Sequence, residues 1–84
     1  MQPVVLNMAL RFTTEIDLLD FGGVKELLIN QKSRYFEVLS EGSLLTAICK
    51  IKDDVWIELQ GNYPQEIIDS IGETIDKKLK YPAY

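Results

Sequence analysis

Carboxylates are the residues of this chain whose type and spacing come nearest to catalysis. Asp53-Asp54 sit side by side between two apolar runs, and Asp17 and Asp20 flank another break in the pattern. Paired carboxylates do acid–base work when a cleft perturbs one against the other. At a hairpin tip both are solvated, and the turn spaces them without aiming them at a pocket. The 84 residues include no histidine, which removes the commonest general base and the commonest metal ligand. One cysteine, Cys49, cannot build a zinc site alone, and the ligand count and spacing of a calcium loop are missing. No glycine-rich loop separates a strand from a helix, so there is no nucleotide cradle. Asp20-Phe21-Gly22 spells the magnesium-binding triplet of protein kinases, but the lysine strand, the catalytic loop and most of the required length are lacking. The tripeptide is a turn. The sequence therefore predicts no catalytic residue, no cofactor and no metal ligand, and a protein that is not an enzyme.

Charge narrows the partners. Thirteen acidic residues against nine basic give a net charge of −4, and the basic ones are scattered except for Lys77-Lys78-Leu79-Lys80. A surface of that sign repels phosphate backbones, so nucleic acid is not an expected partner. The lysine run suits the carboxyl end of a helix dipole. No apolar run is long enough to span a bilayer, and the amino terminus lacks the charged leader and apolar core of a secretory signal. No membrane association and a reduced, cytoplasmic location are expected. Cys49 is read as a small buried hydrophobe. At 46% hydrophobic and 26% charged, the chain has the composition of one globular domain, residues 1–84, with residues 1–7 as a loose arm.

The elements follow from periodicity. From Met8 to Leu18, apolar and polar residues alternate as in a strand with one buried face. Asp20-Phe21-Gly22-Gly23 breaks it. Val24–Asn30 reads either as a short helix, with Val24, Leu27 and Leu28 together, or as a strand with Leu27 and Ile29 on one face, paired with Val38 and Phe36 across a tight Lys32-Ser33 turn. The strand is favoured, because about eight residues are few for a helix that must bury a face. Three strand-like runs follow: Tyr35–Leu39, Leu44–Ile51 and Val55–Leu59. Ile67, Ile71, Ile75 and Leu79, with Ile68 beside them, recur at helical spacing and predict an amphipathic helix over 64–80. Asn62 is its candidate cap, and Tyr81-Pro82 ends it. Gly72 borders the apolar stripe, where it lets the helix backbone approach the sheet. The expected fold class is α+β: an antiparallel meander of four to five strands with one carboxy-terminal amphipathic helix packed on one face.

Register follows from keeping charges out of the core. A Lys52-Asp53-Asp54 loop with Asp54 in the left-handed region pairs Ile51 with Val55, Cys49 with Ile57 and Ala47 with Leu59, all apolar. The Ser40–Ser43 turn brings Val38 opposite Leu45 and Phe36 opposite Ala47. The expected core face is then Phe36, Val38, Leu45, Ala47, Cys49, Ile51, Val55, Ile57 and Leu59. The opposite face carries Tyr35, Leu39, Leu44, Ile48 and Trp56 among Glu37, Thr46, Lys50 and Glu58, and these five are the candidate interaction patch. The alternative is that Lys50 lies over Trp56 and the amino-terminal segment covers the aliphatic residues.

Tyr35-Phe36-Glu37-Val38, Glu41-Gly42, Leu44-Leu45, Trp56, Gly61 and Ile71-Gly72-Glu73 form a pattern that resembles a group of small uncharacterised bacterial proteins. The resemblance spans residues 35–79. It implies a curved antiparallel meander with one carboxy-terminal helix, and it carries over no functional residue.

The functional expectation is a small non-enzymatic cytoplasmic protein-interaction module, self-associating as a homodimer through a sheet face or an edge strand. Two other classes fit the composition: an acidic inhibitor or immunity-type protein that binds a basic partner, and a binder of a small apolar ligand between helix and sheet.

Overall fold

The computed structural model describes residues 10–80; the expected arm at 1–7 lies outside them. Five strands, β1 (Arg11–Asp17), β2 (Val24–Gln31), β3 (Phe36–Ser40), β4 (Ser43–Lys52) and β5 (Val55–Gln60), precede one helix, α1 (Gln65–Lys80). The strands form a single antiparallel sheet in chain order, each paired with its sequence neighbours. The architecture is the α+β meander with a carboxy-terminal helix that the periodicities predict.

In β1 the alternation is kept: Ile16 is buried and Phe12 and Thr14 half-buried, while Arg11, Thr13, Glu15 and Asp17 are exposed. Leu19–Phe21 make a single 3-10 turn, held by Asp17 Oδ1 accepting from the Leu19 N–H at 2.8 Å. Val24–Gln31 is a strand, not a helix. Leu27 and Ile29 share the helix-side face as expected, but Ile29 sits opposite Val38, two residues on from the expected pairing with Phe36. The β2–β3 turn is correspondingly shifted by one residue to Ser33-Arg34, with the Lys32 N–H donating to the Tyr35 carbonyl across it at 2.7 Å.

Helix α1 buries the stripe Ile67, Ile68, Ile71 and Ile75, each at most 1% exposed. Burying one such side chain is worth ~1.5–3 kcal/mol, so this stripe is the main bond between helix and sheet. The first helical carbonyl is that of Pro64, which accepts from Ile67 and Ile68 N–H at 3.0 and 3.2 Å. The cap position therefore falls on Pro64, where a missing N–H costs nothing, and not on Asn62. Gly72 meets the sheet directly: a Cβ there would stand 2.5 Å from Nε1 of Trp56 and closer still to Cγ and Cδ1. The expected close approach at Gly72 is real, and the indole ring is what it approaches.

The register differs from expectation in one consequential way. Next to the β3–β4 turn the pairs are Ser40–Ser43 and Leu39–Leu44, the register deduced from the turn. Between Val38 and Leu39 a bulge inserts Leu45 as an extra residue, and beyond it Val38 faces Thr46 and Phe36 faces Ile48. One added residue turns every following β4 side chain to the other face. Cys49 does pair with Ile57, as expected, but bulges on either side replace the expected Ile51–Val55 and Ala47–Leu59 pairs with Lys52–Val55, around an Asp53-Asp54 loop, and Ala47–Gln60. The Cys49–Ile57 pair points away from the helix. The helix-side face of β4 and β5 holds Thr46, Ile48, Lys50, Trp56 and Glu58, and the core contains Ile48 and Trp56 where Cys49 and Ile57 were expected.

Candidate interaction surface on the sheet

The two faces of the sheet differ in cover. On the helix side Trp56, 3% exposed, lies edge-on to Phe36 with ring centroids 5.7 Å apart. Its Nε1 donates to Asp76 Oδ2 at 3.2 Å, and Lys50 Nζ donates to Asp76 Oδ1 at 2.7 Å while standing 5.8 Å from the indole centroid. The hydrogen bond to Asp76 is the main reason the Lys50 pKa is raised above its ordinary value. Lys50 thus lies over Trp56, but on the covered face.

Glu58 is the charge that register reasoning kept out of the core, and it sits half-buried on the helix side. Its Oε2 accepts from Thr46 Oγ1 at 2.6 Å and from the Tyr63 N–H at 3.3 Å. Two donors offset the desolvation that a bare carboxylate would suffer. Gly61 makes this possible. Its φ of +131° is one that side chains rarely adopt, and a Cβ would collide with Glu58 Oε2 and stand 3.1 Å from Thr46 Oγ1.

No described helix or strand lies over the outer face, although Ala47 on it is buried at 4% exposure. Pairing places its side chains in rows across the strands. Thr13, Leu28, Leu39 and Leu44 form one row. Glu15 and Glu26 lie opposite each other on one side of it, and Arg11, Asn30, Glu37 and Ala47 line up on the other. Beyond these come Cys49 and Ile57. Leu28, Leu39, Cys49 and Ile57 are half-buried, and Leu44, Ile51 and Leu59 are 40%, 56% and 53% exposed. Glu37 is engaged locally, with Lys32 Nζ at 3.8 Å and Asn30 Nδ2 at 3.5 Å. Glu15 and Glu26 face each other as like charges, an arrangement that costs up to ~1 kcal/mol in a sheet.

Of the five patch residues deduced from sequence, the structure splits the set. Ile48 and Trp56 belong to the core, because the bulge at Leu45 turns them under the helix. Leu39 and Leu44 lie together on the outer face, and Tyr35 is half-buried just before β3. Leu28, Cys49 and Ile57 were missed. Cys49 is a half-buried outer-face residue and not a core hydrophobe. The signal was present in the chain, since Cys49 and Ile57 were already paired; only the face was misjudged.

Other chemistry-bearing groups are accounted for locally. Asp17 closes its own turn, and Asp53 and Asp54 are exposed at the β4–β5 turn, with Asp54 left-handed at φ 61° as expected. Among the described residues no group of three or more His, Cys, Asp or Glu side chains is placed to hold a metal, and no helix is long and apolar enough to cross a membrane. An open cleft of about 660 Å³ lies between Phe21, Leu45, Gly61, Asn62 and Tyr63, with Phe21 and Tyr63 edge to face at 5.9 Å. No protein-family model, curated protein or solved structure matches the chain.

Proposed function

We propose that this protein works without catalysis of its own, as an interaction module that binds a polypeptide on the outer face of its sheet. One observation carries the reading: the helix covers one face, while the other keeps Leu28, Leu39, Leu44, Cys49 and Ile57 with no described helix or strand over them. Contiguous exposed apolar area on a small domain marks a binding surface more often than scattered single residues do. The exposed Glu15–Glu26 pair beside it supports a second reading, a foreign basic partner of the kind an acidic inhibitor binds.

Leu39→Glu tests the outer face directly, since Leu39 is half-buried there and lies off the helix-side core. Wild type and variant are immobilised and exposed to lysate of the source cells, with thermal melts run in parallel. Polypeptides retained by wild type and lost by a folded variant are the expected result. Identical retention by both removes the outer face as the working surface. Loss of binding as salt rises would favour the basic-partner reading.

A further inference from the structure

Resting on that reading, we infer that the occupant of the outer face is a second copy of this chain, docked about a two-fold axis along the row Thr13–Leu28–Leu39–Leu44. The register makes this row self-complementary. Two residues to one side of Thr13 along β1 lies Glu15, and two residues to the other lies Arg11. On β2, Glu26 and Asn30 flank Leu28 in the same way. A two-fold axis along the row exchanges its two sides. It sets Leu28 and Leu39 of one copy against the same residues of the other, as an isologous contact must. It also brings Glu15 of each copy over Arg11 of its partner, and Glu26 over Asn30. Arg11, Glu15 and Glu26 are all exposed.

The arrangement answers the Glu15–Glu26 repulsion on this face. Glu15 and Glu26 repel across β1 and β2, and the second copy delivers a guanidinium to that corner. Glu37 falls against Glu41 of the other copy, a like-charge contact that its own Lys32, 3.8 Å away, offsets in part and that further weakens the dimer. Sheets packed face to face keep their strands within about 30° of one another, so the row and its flanks stay in reach. Four strands at their usual spacing and five residues of rise along each give the platform a plan area of roughly 330 Å². That is small beside the ~800 Å² per partner of a standard interface. The dimer should therefore be weak, and sedimentation must extend to high micromolar protein.

The test is a charge exchange between copies, read by sedimentation equilibrium. Wild type should dimerise with rising concentration. Arg11→Glu alone sets two carboxylates together at each contact, and Glu15→Arg alone sets two guanidinium groups together. Each should weaken association by ~10-fold or more. An equimolar mixture should recover near wild-type association, because each variant then supplies the charge the other lacks. Melts of each variant confirm folding, which these exposed positions should hardly disturb. A wild type that stays monomeric at high concentration overturns the second copy. If Leu39→Glu still loses its lysate partners in that case, the outer face stands as a binding surface for a foreign polypeptide. If it does not, both readings fall together. Variants that dimerise as well as wild type, or monomeric variants that ignore each other on mixing, also overturn the proposal.

Discussion

Replacing Gly72 by alanine sets two effects of opposite sign against each other. Alanine is favoured over glycine inside a helix by ~1 kcal/mol, so an unobstructed site would be stabilised. Here the new methyl would be driven into the Trp56 ring, 2.5 Å from Nε1 and nearer still to two ring carbons. Relief needs a shift of about 1 Å, since ordinary contacts between heavy atoms lie near ~3.5–4 Å. The ring is not free to yield: its Nε1 is bonded to Asp76 at 3.2 Å and its edge meets Phe36. Overpacking of this kind costs ~1–3 kcal/mol before the strained hydrogen bond is counted. Gly72→Ala should therefore destabilise the fold by ~1–3 kcal/mol net, the propensity gain being outweighed. Urea unfolding followed by the fluorescence of Trp56, the single tryptophan, measures this directly. Ser70→Ala, at an exposed position of the same helix, is the control and should be neutral or slightly stabilising. Pairing Gly72→Ala with Trp56→Phe, followed by circular dichroism, should cost less than the sum of the two single changes. A Gly72→Ala protein as stable as wild type would refute the contact between helix backbone and indole.

Trp56→Lys should leave little folded protein, because emptying such a site alone costs ~3–5 kcal/mol; a melt close to wild type would return Trp56 to the outer face. Thr46→Val keeps the shape but removes the hydroxyl that Glu58 accepts from, and should cost ~1–3 kcal/mol in urea melts. Adding Glu58→Leu to that variant should recover much of the loss, and failure to do so would mean the Thr46–Glu58 bond is not what the carboxylate depends on. The raised pKa of Lys50, due first to its bond with Asp76, fixes a sign for alkaline pH. A group whose folded pKa is raised lends stability that is fully present below its unfolded pKa and lost as pH rises through the folded value. Stability should thus fall above about pH 10.5, and Lys50→Met should flatten that part of the profile.

Strand order, the meander and the helix were legible because each rests on a local period or a local turn. The isoleucines at 67, 68, 71 and 75 can share a face only in a helix, since in a strand Ile68 would point away from the other three, and the turn at Ser40–Ser43 dictated its own pairs. Which face of β4 and β5 meets the helix was not legible, for two reasons. Both faces are apolar: Ile48 and Trp56 on one, Cys49 and Ile57 on the other, so alternation alone does not choose. Glu58 then weighed against the true face, since its partners Thr46 and Tyr63 come together only once Gly61 has turned the chain. The bulge at Leu45 leaves no mark in the sequence, yet it moved two of the five patch residues into the core. The two patch residues paired on the outer face, Leu39 and Leu44, lie on the turn side of that bulge.

Because every strand pairs only with its neighbours in the chain, a growing polypeptide can lay the sheet down one strand at a time. The cover arrives last. Ile16, Leu27, Ile29, Val38, Ile48 and Trp56 have no apolar layer above them until α1 has been made. At a synthesis rate of ~5–20 residues per second, residues 61–80 take about 1–4 s to follow β5. During those seconds the nascent sheet lacks its helical cover on the core face and also presents the leucine row of its outer face. That interval, more than any state of the finished protein, is when this chain is most open to aggregation and to capture by factors that hold exposed strands.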